Sequence, residues 1–306
     1  MTCDEFGNAG RHMKRSLSIL LAIGFAAAIS AQAQTDYTRE IEKWRSDREA
    51  NLKKETGWLT VAGLFWLKEG TNTVGAGEKF DVRLTDNFKQ GKFGEIEFKN
   101  GAATLKVEKG IDAQADGKSI SAPVALVSDE NGKPTEIRTG TQTFFLIKRE
   151  ERFGIRLKDS NSEARRNFKG LHWFRVDESY KVTARFEAFA QPKEISVPNV
   201  LGGNFKMKSP GALKFSLKDK EYSLQPVDEG DGTLFIIFRD KSSENGTYKS
   251  GRFLYADKPV NGEAVLDFNK AENPPCAFTP FATCPLPPPG NSLDVEIKAG
   301  EKRYDH

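Results

Sequence analysis

A mostly β fold with one N-terminal helix is what this sequence predicts, on three observations. From Phe80 onward the chain runs in short segments of alternating apolar and polar residues, among them KFGEIEFKN, ATLKVEK, TFFLIKRE and RFGIRLKD. Period-two alternation is the pattern of a half-buried strand. Turn residues separate these segments, and Asn100-Gly101 between two of them is a strong hairpin signal. Finally, 27 Gly and 14 Pro punctuate the chain, and one stretch alone shows sustained helical spacing. The expected architecture is a sandwich-like half followed by a second antiparallel β half closed by a Pro/Cys-rich loop, rather than a parallel sheet with crossover helices.

Taken in order, the first element is a targeting device. Met13 is followed by Lys14 and Arg15, an apolar run from Leu17 to Ile29, and Ala31-Gln32-Ala33. This is the order of a secretory signal, with cleavage expected after Ala33. The run is shorter than the roughly twenty residues a spanning helix needs, and no second one follows, so an exported protein without an integral membrane segment is expected, periplasmic or extracellular. Residues 1 to 12 precede the basic region and read as a gene-start extension.

From Tyr37 to Lys54, Tyr37, Ile41, Trp44 and Leu52 recur near helical spacing among dense charge, with Asp36 and Thr38 available as caps. GWLTVAGLFWLKEGTNTVG is too rich in Gly for a long helix and too apolar for a surface loop, and is placed as buried strand and turn. The alternating segments then build the first half, 34–160. The charged, aperiodic NSEARRNFKG interrupts them and opens the second half, 161–306. There LHWFRV, YKVTARFEAF, KEISVP, ALKFSLKD, KEYSLQPV, TLFIIFRD, GRFLYA and EAVLDF read as strands, with turns at Asp219-Lys220 and Asp231-Gly232. The segment from Asp267, DFNKAENPPCAFTPFATCPLPPPGN, holds seven of the fourteen prolines and reads as an ordered irregular loop. SLDVEIKAG is expected as a closing strand.

Several function classes are excluded by composition. The 46 Lys+Arg against 43 Asp+Glu give a net charge of +3, which argues against a nucleic-acid binder. Three Cys and three His are too few for a zinc or iron–sulfur cluster, and no metal site is expected. No Gly-rich phosphate loop precedes a helix, so no nucleotide or other cofactor is expected.

GWLTVAGLFWLKEG, FKGLHWF, FRDKSSENGTYKSGRFL and the Pro/Cys segment together resemble the prokaryotic domain of unknown function family numbered 1684, from about Trp44 to about Glu301. The resemblance implies no catalytic role. It singles out Gly251, Arg252, Asp267, Asn269, Asn273, Pro274, Pro275, Cys276 and Cys284. LKEGTNTVGAGEKFDVRL is also similar to the opening strands of forkhead-associated sandwiches, but the phosphothreonine-binding positions of those modules are missing, so the shape is kept and the recognition is not.

Asp267, Asn269 and Asn273 offer oxygen-bearing side chains beside a rigid loop, either as a pocket floor for a small polar or anionic ligand or as turn scaffolding. Arg239, Tyr248 and Arg252 complete the candidate ligand set. An arginine there either clamps an anion or forms an internal salt bridge to Asp240 or Asp267. Asp267 and Cys276 are the candidate catalytic residues, should the protein be an enzyme of hydrolase or acid–base type. Cys276 and Cys284, in an exported chain, are expected to form a disulfide, the alternative being a functional thiol. The choice between function classes turns on geometry: an enzyme needs a concave pocket onto which Arg252, Asp267 and Asn273 converge, whereas a structural module buries them in mutual pairs. Trp58, Phe65, Trp66 and Trp173 read as stacking surfaces or core.

Overall fold

The computed structural model describes residues 35–305; the leader and its cleavage site lie outside them. The chain is mostly β, with an N-terminal helix and several antiparallel sheets, none closed into a barrel.

Helix α1 (35–52) buries Tyr37, Ile41 and Leu52, as the periodicity predicts. Asp36 and Thr38 lie inside its first turn. Its buried face also carries Arg45 and Arg48, and this the apolar pattern could not show. The first half then builds β1 (Val61–Trp66), β2 (Gly70–Ala76), β3 (Val82–Leu84), β4 (Lys92–Lys99), β5 (Ala102–Val107), β6 (Gln114–Ala115), β7 (Lys118–Ser119), β8 (Val124–Leu126), β9 (Ile137–Thr139), β10 (Gln142–Arg149) and β11 (Arg152–Asp159). They form two sheets, ordered β3-β2-β4-β5-β8 and β1-β11-β10-β9-β6-β7. One core, including Val74, Phe93, Ile96 and Leu105 from the first sheet and Phe144, Leu146, Ile155 and Leu157 from the second, lies between them, which makes this half sandwich-like. The β4–β5 hairpin turns at Asn100 and Gly101 with φ of 53° and 79°, the doubly positive geometry that Asn-Gly favours.

A short helix α2 (Glu163–Arg166), capped by the Ser162 hydroxyl, leads into the second half. This half comprises β12 (Lys181–Pro198), β13 (Asn204–Leu217), β14 (Lys220–Leu224), β15 (Val227–Asp228), β16 (Thr233–Asp240), β17 (Arg252–Asp257), β18 (Glu263–Asp267) and β19 (Ser292–Leu293). The sheet β14-β13-β12-β18 packs on β15-β16-β17 through Leu213, Phe215, Leu224, Ile236, Phe238, Leu254 and Leu266.

Four expectations differ from the structure. YKVTARFEAF and KEISVP are one long strand whose register slips between Ala188 and Lys193, and the β13–β14 turn sits at Lys218-Asp219. LHWFRV makes no strand; its Trp173 forms an isolated bridge to Glu301 and packs edge-on against Trp44 of α1. SLDVEIKAG pairs only at Ser292–Leu293, although Val295, Ile297 and Ala299 are buried with the expected alternation. Its backbone groups bond partly to backbone, the Val295 carbonyl accepting from Lys241 N–H, and partly to side chains: Ile297 N donates to Asp240 Oδ1, and the Arg252 guanidinium donates to the carbonyls of Ile297 and Ala299.

Candidate functional site

The predicted site residues are placed mainly in the interior. Arg252 is fully buried and pairs with Asp240, Nη2 to Oδ2 at 2.8 Å, rather than with Asp267. Asp267 accepts from the Tyr37 hydroxyl at 2.9 Å and from the Asn269 backbone amide, capping the turn Phe268–Lys270. Asn269 donates to Tyr37 and to the Asp177 carbonyl. Asn273 donates to the Lys302 carbonyl, while its amide N–H donates to Glu301. Tyr248 donates to the Cys276 carbonyl, and Arg239 is exposed beside a shallow recess. Arg252, Asp267 and Asn273 thus hold separate partners, and none of them lines the cavity described next. The Cys276 sulfur is bonded to Cys284, so any thiolate there would first require reduction. His172 is exposed. Among the described residues, no cluster of three or more His, Cys, Asp or Glu could hold a metal ion, and no helix is long and apolar enough to cross a membrane.

The Pro/Cys loop does border a cavity, but through its neighbouring residues. A cavity of about 430 Å³ opens between the two halves. Trp58, Phe205, Met207, Phe235 and Phe253 form its apolar walls, with Pro275, Cys284 and Pro285 from the loop. Phe235 meets Phe253 edge-on, centroids 4.8 Å apart, and stacks on Tyr255 at 5.1 Å. The size and mixed lining are those of a small-molecule site.

Arg156 is the unusual member of this lining. In β11 the alternation sends Ile155 and Leu157 into the sandwich core, so Arg156 faces the other way, toward the second half. That face is covered, and Arg156 is only 4% exposed. Its Nη2 donates to Thr283 Oγ1 at 3.2 Å, its guanidinium lies 5.5 Å from the Trp58 ring, and its Nε has no partner. The other arginines with an orphaned Nε each have a carboxylate, Arg45 with Glu42 and Arg252 with Asp240. Arg156 has none. Neighbouring Arg149 holds Asp129 in a two-pronged pair at 3.0 and 2.9 Å and also donates to Thr283. Two guanidiniums facing one carboxylate leave a positive charge at the cavity wall. Burial, helped by Arg149, pulls the Arg156 pKa down to about 10, yet it stays a cation at neutral pH.

The same lining carries acids, Glu229 and Glu272. Arg48 reaches from α1 to Glu301 at 2.9 Å and Glu272 at 3.2 Å. Burial pushes the Glu272 carboxyl up to about 7, against the pull of Arg48 and with the help of Glu301. Burial also raises Glu229, with Asp231 adding to it, and raises the Tyr255 phenol, with Glu272 and Glu229 adding to it. A larger recess, about 640 Å³, lies beside β4 and β5, but its Lys92 is already paired with Glu95 and Glu108 at 2.7 and 2.9 Å. Among the described residues, no buried side-chain atom without a hydrogen-bond partner belongs to its lining.

Of the cavity residues, sequence reasoning singled out Trp58, Pro275 and Cys284. The signal available for Arg156 was its place on an alternating strand, and that marks an exposed position.

Residues 166–302 match the family described as protein of unknown function (DUF1684). The solution NMR structure of an uncharacterized protein from Haloarcula marismortui is 30% identical over 45% of this chain and 78% of that one, with a TM-score of 0.39. No curated protein matches the chain. Glu272, Thr283 and Cys284 lie within the family match, whereas Arg48, Trp58, Arg149 and Arg156 precede it.

Proposed function

We propose, for a chain that belongs through residues 166–302 to the family of unknown function DUF1684, that the protein binds a small anionic ligand in the cavity between its halves. The observation that carries this reading is Arg156: a buried guanidinium with no carboxylate and an unpartnered Nε at the wall of an aromatic cavity. A buried charge without a counter-ion is costly, and a carboxylate from a ligand supplies what the protein does not. Charge-assisted hydrogen bonds to a guanidinium are among the stronger polar contacts, and the aromatic walls suit an apolar body behind the anion. The expected occupant is an amphipathic carboxylate.

Calorimetric titration with caproate and p-toluate tests this. Saturable binding that disappears in Arg156→Met supports the reading; binding that survives the substitution, or no binding by any carboxylate, refutes it.

We further propose that residues 13–33 direct export with cleavage after Ala33, which agrees with the paired cysteines of the C-terminal half. A reporter carrying this segment should be secreted with its N-terminus trimmed at that bond. An intact N-terminus on the secreted product, or retention in the cytoplasm, would count against it.

A further inference from the structure

We propose that the occupant of the cavity is a zwitterion, a carboxylate joined through an apolar body to an ammonium or amidinium group, with its anion at Arg156 and its cation at Glu272. This rests on the reading that Arg156 takes a carboxylate, and adds the opposite pole.

The two poles come from different halves of the molecule. Arg149 and Arg156 stand on the last two strands of the first half, while Glu229, Tyr255 and Glu272 belong to the second. Glu272 is held rigidly: its backbone N–H donates to the Phe253 carbonyl and its own carbonyl accepts from Phe253, each at 2.9 Å, which fixes it beside β17. Its carboxylate is less well provided for. Arg48 Nε lies 3.2 Å from it, but that same nitrogen donates to Glu301 at 2.9 Å, and Nη2 is taken by the Asn273 carbonyl at 3.0 Å. One guanidinium therefore serves two carboxylates, and Glu301 is fully buried beneath. Among the described residues no side chain donates a hydrogen bond to Glu272, and none forms an ion pair with Glu229.

Acid is thus in excess around Glu272 and base in excess around Arg156, and Phe235 and Phe253 line the same cavity. A simple fatty or aromatic carboxylate would fill the middle and satisfy Arg156, yet would bury Glu272 further with no new partner. A dianion would bring its second charge against Glu272 and Glu229. An ammonium or amidinium completes both ends, because each desolvated charge then gains a partner of opposite sign. The Tyr255 hydroxyl, whose pKa is raised by burial and then by the same acids, can contribute a hydrogen bond at this end.

The test uses the full-length protein and two matched pairs of probes, ε-aminocaproate against caproate and p-aminomethylbenzoate against p-toluate, titrated calorimetrically at about pH 8.5, where Glu272 is ionised. In at least one pair the added ammonium should tighten binding by roughly tenfold or more, and Glu272→Gln should remove most of that advantage, read as the ratio of the two affinities within each pair. Glu229→Gln, at an exposed position, provides a second variant that should reduce the advantage without threatening the fold. If the plain carboxylates bind through Arg156 but gain nothing from the ammonium, or if both variants keep the full gain, the zwitterion is refuted and the anion site stands. If no probe binds, both readings fall.

Discussion

Replacing Arg156 with methionine should make the protein more stable and unable to bind. The fall of the Arg156 pKa to about 10 corresponds to about 3 kcal/mol of disfavour for the charged form relative to an exposed guanidinium. Against this stand one hydrogen bond to Thr283, worth about 1 kcal/mol, and the Trp58 contact, worth about 1 kcal/mol. Thr283 is not stranded by the change, because Arg149 Nε still donates to its hydroxyl at 3.0 Å. Methionine has a similar reach and packs against Trp58, Thr283 and Pro285 without a charge to desolvate. The balance is a gain of about 1 kcal/mol, or roughly 2 to 4 °C in Tm for a chain of this size. Thermal melting of wild type and variant reads the stability, and titration with caproate reads the binding. A Tm that falls by several degrees while carboxylate binding persists would show that Arg156 is a structural tie, and the functional argument built on its missing partner would fail. A stability gain bought by deleting a functional group is the usual trade at a binding site.

Three further outcomes are expected. Because the folded-state pKa of Glu272 is raised to about 7, the folded protein holds a proton that the unfolded chain releases near the ordinary glutamate value; stability from this group is present at low pH and is lost as pH rises from about 4 to about 7, by up to about 3 kcal/mol. Denaturant melts at pH 5 and pH 8 should show that decline in wild type and a flatter profile in Glu272→Gln; identical profiles would contradict the burial argument. Arg252→Lys should cost about 3 to 5 kcal/mol, since it disrupts a fully buried pair and the donors that hold the carbonyls of Ile297 and Ala299, so a melting point close to wild type would place Arg252 outside the structural framework. Thiol titration of the denatured, unreduced protein cleaved after Ala33 should find no free thiol; finding two would mean that Cys276 and Cys284 are unpaired.

Local signals carried the secondary structure well. Alternation located the strands, Asn100-Gly101 placed a hairpin, and the spacing of Tyr37, Ile41 and Leu52 marked the helix, because each of these depends only on residues near one another in the chain. The Pro/Cys segment was also recognisable as an ordered loop, with Phe268 and Phe278 buried in the core. The sequence could not say which of its polar residues would be buried, or with what partner. Arg48 reads as one more charge on a charged helix and Arg156 as the outward residue of a half-exposed strand, yet both are covered because the second half closes over them. Arg252 and Asp267 looked like a site because they stand beside an unusual loop, and the fold instead gives Arg252 to Asp240 and Asp267 to Tyr37, a residue 230 positions away in the chain. Burial of a charge depends on what packs against it from a distance, and periodicity records only which way a side chain points. Most strands and the Asn100-Gly101 turn were therefore set by local sequence, while the identity of the cation that, among the described residues, is buried without a carboxylate was decided by how the two halves meet.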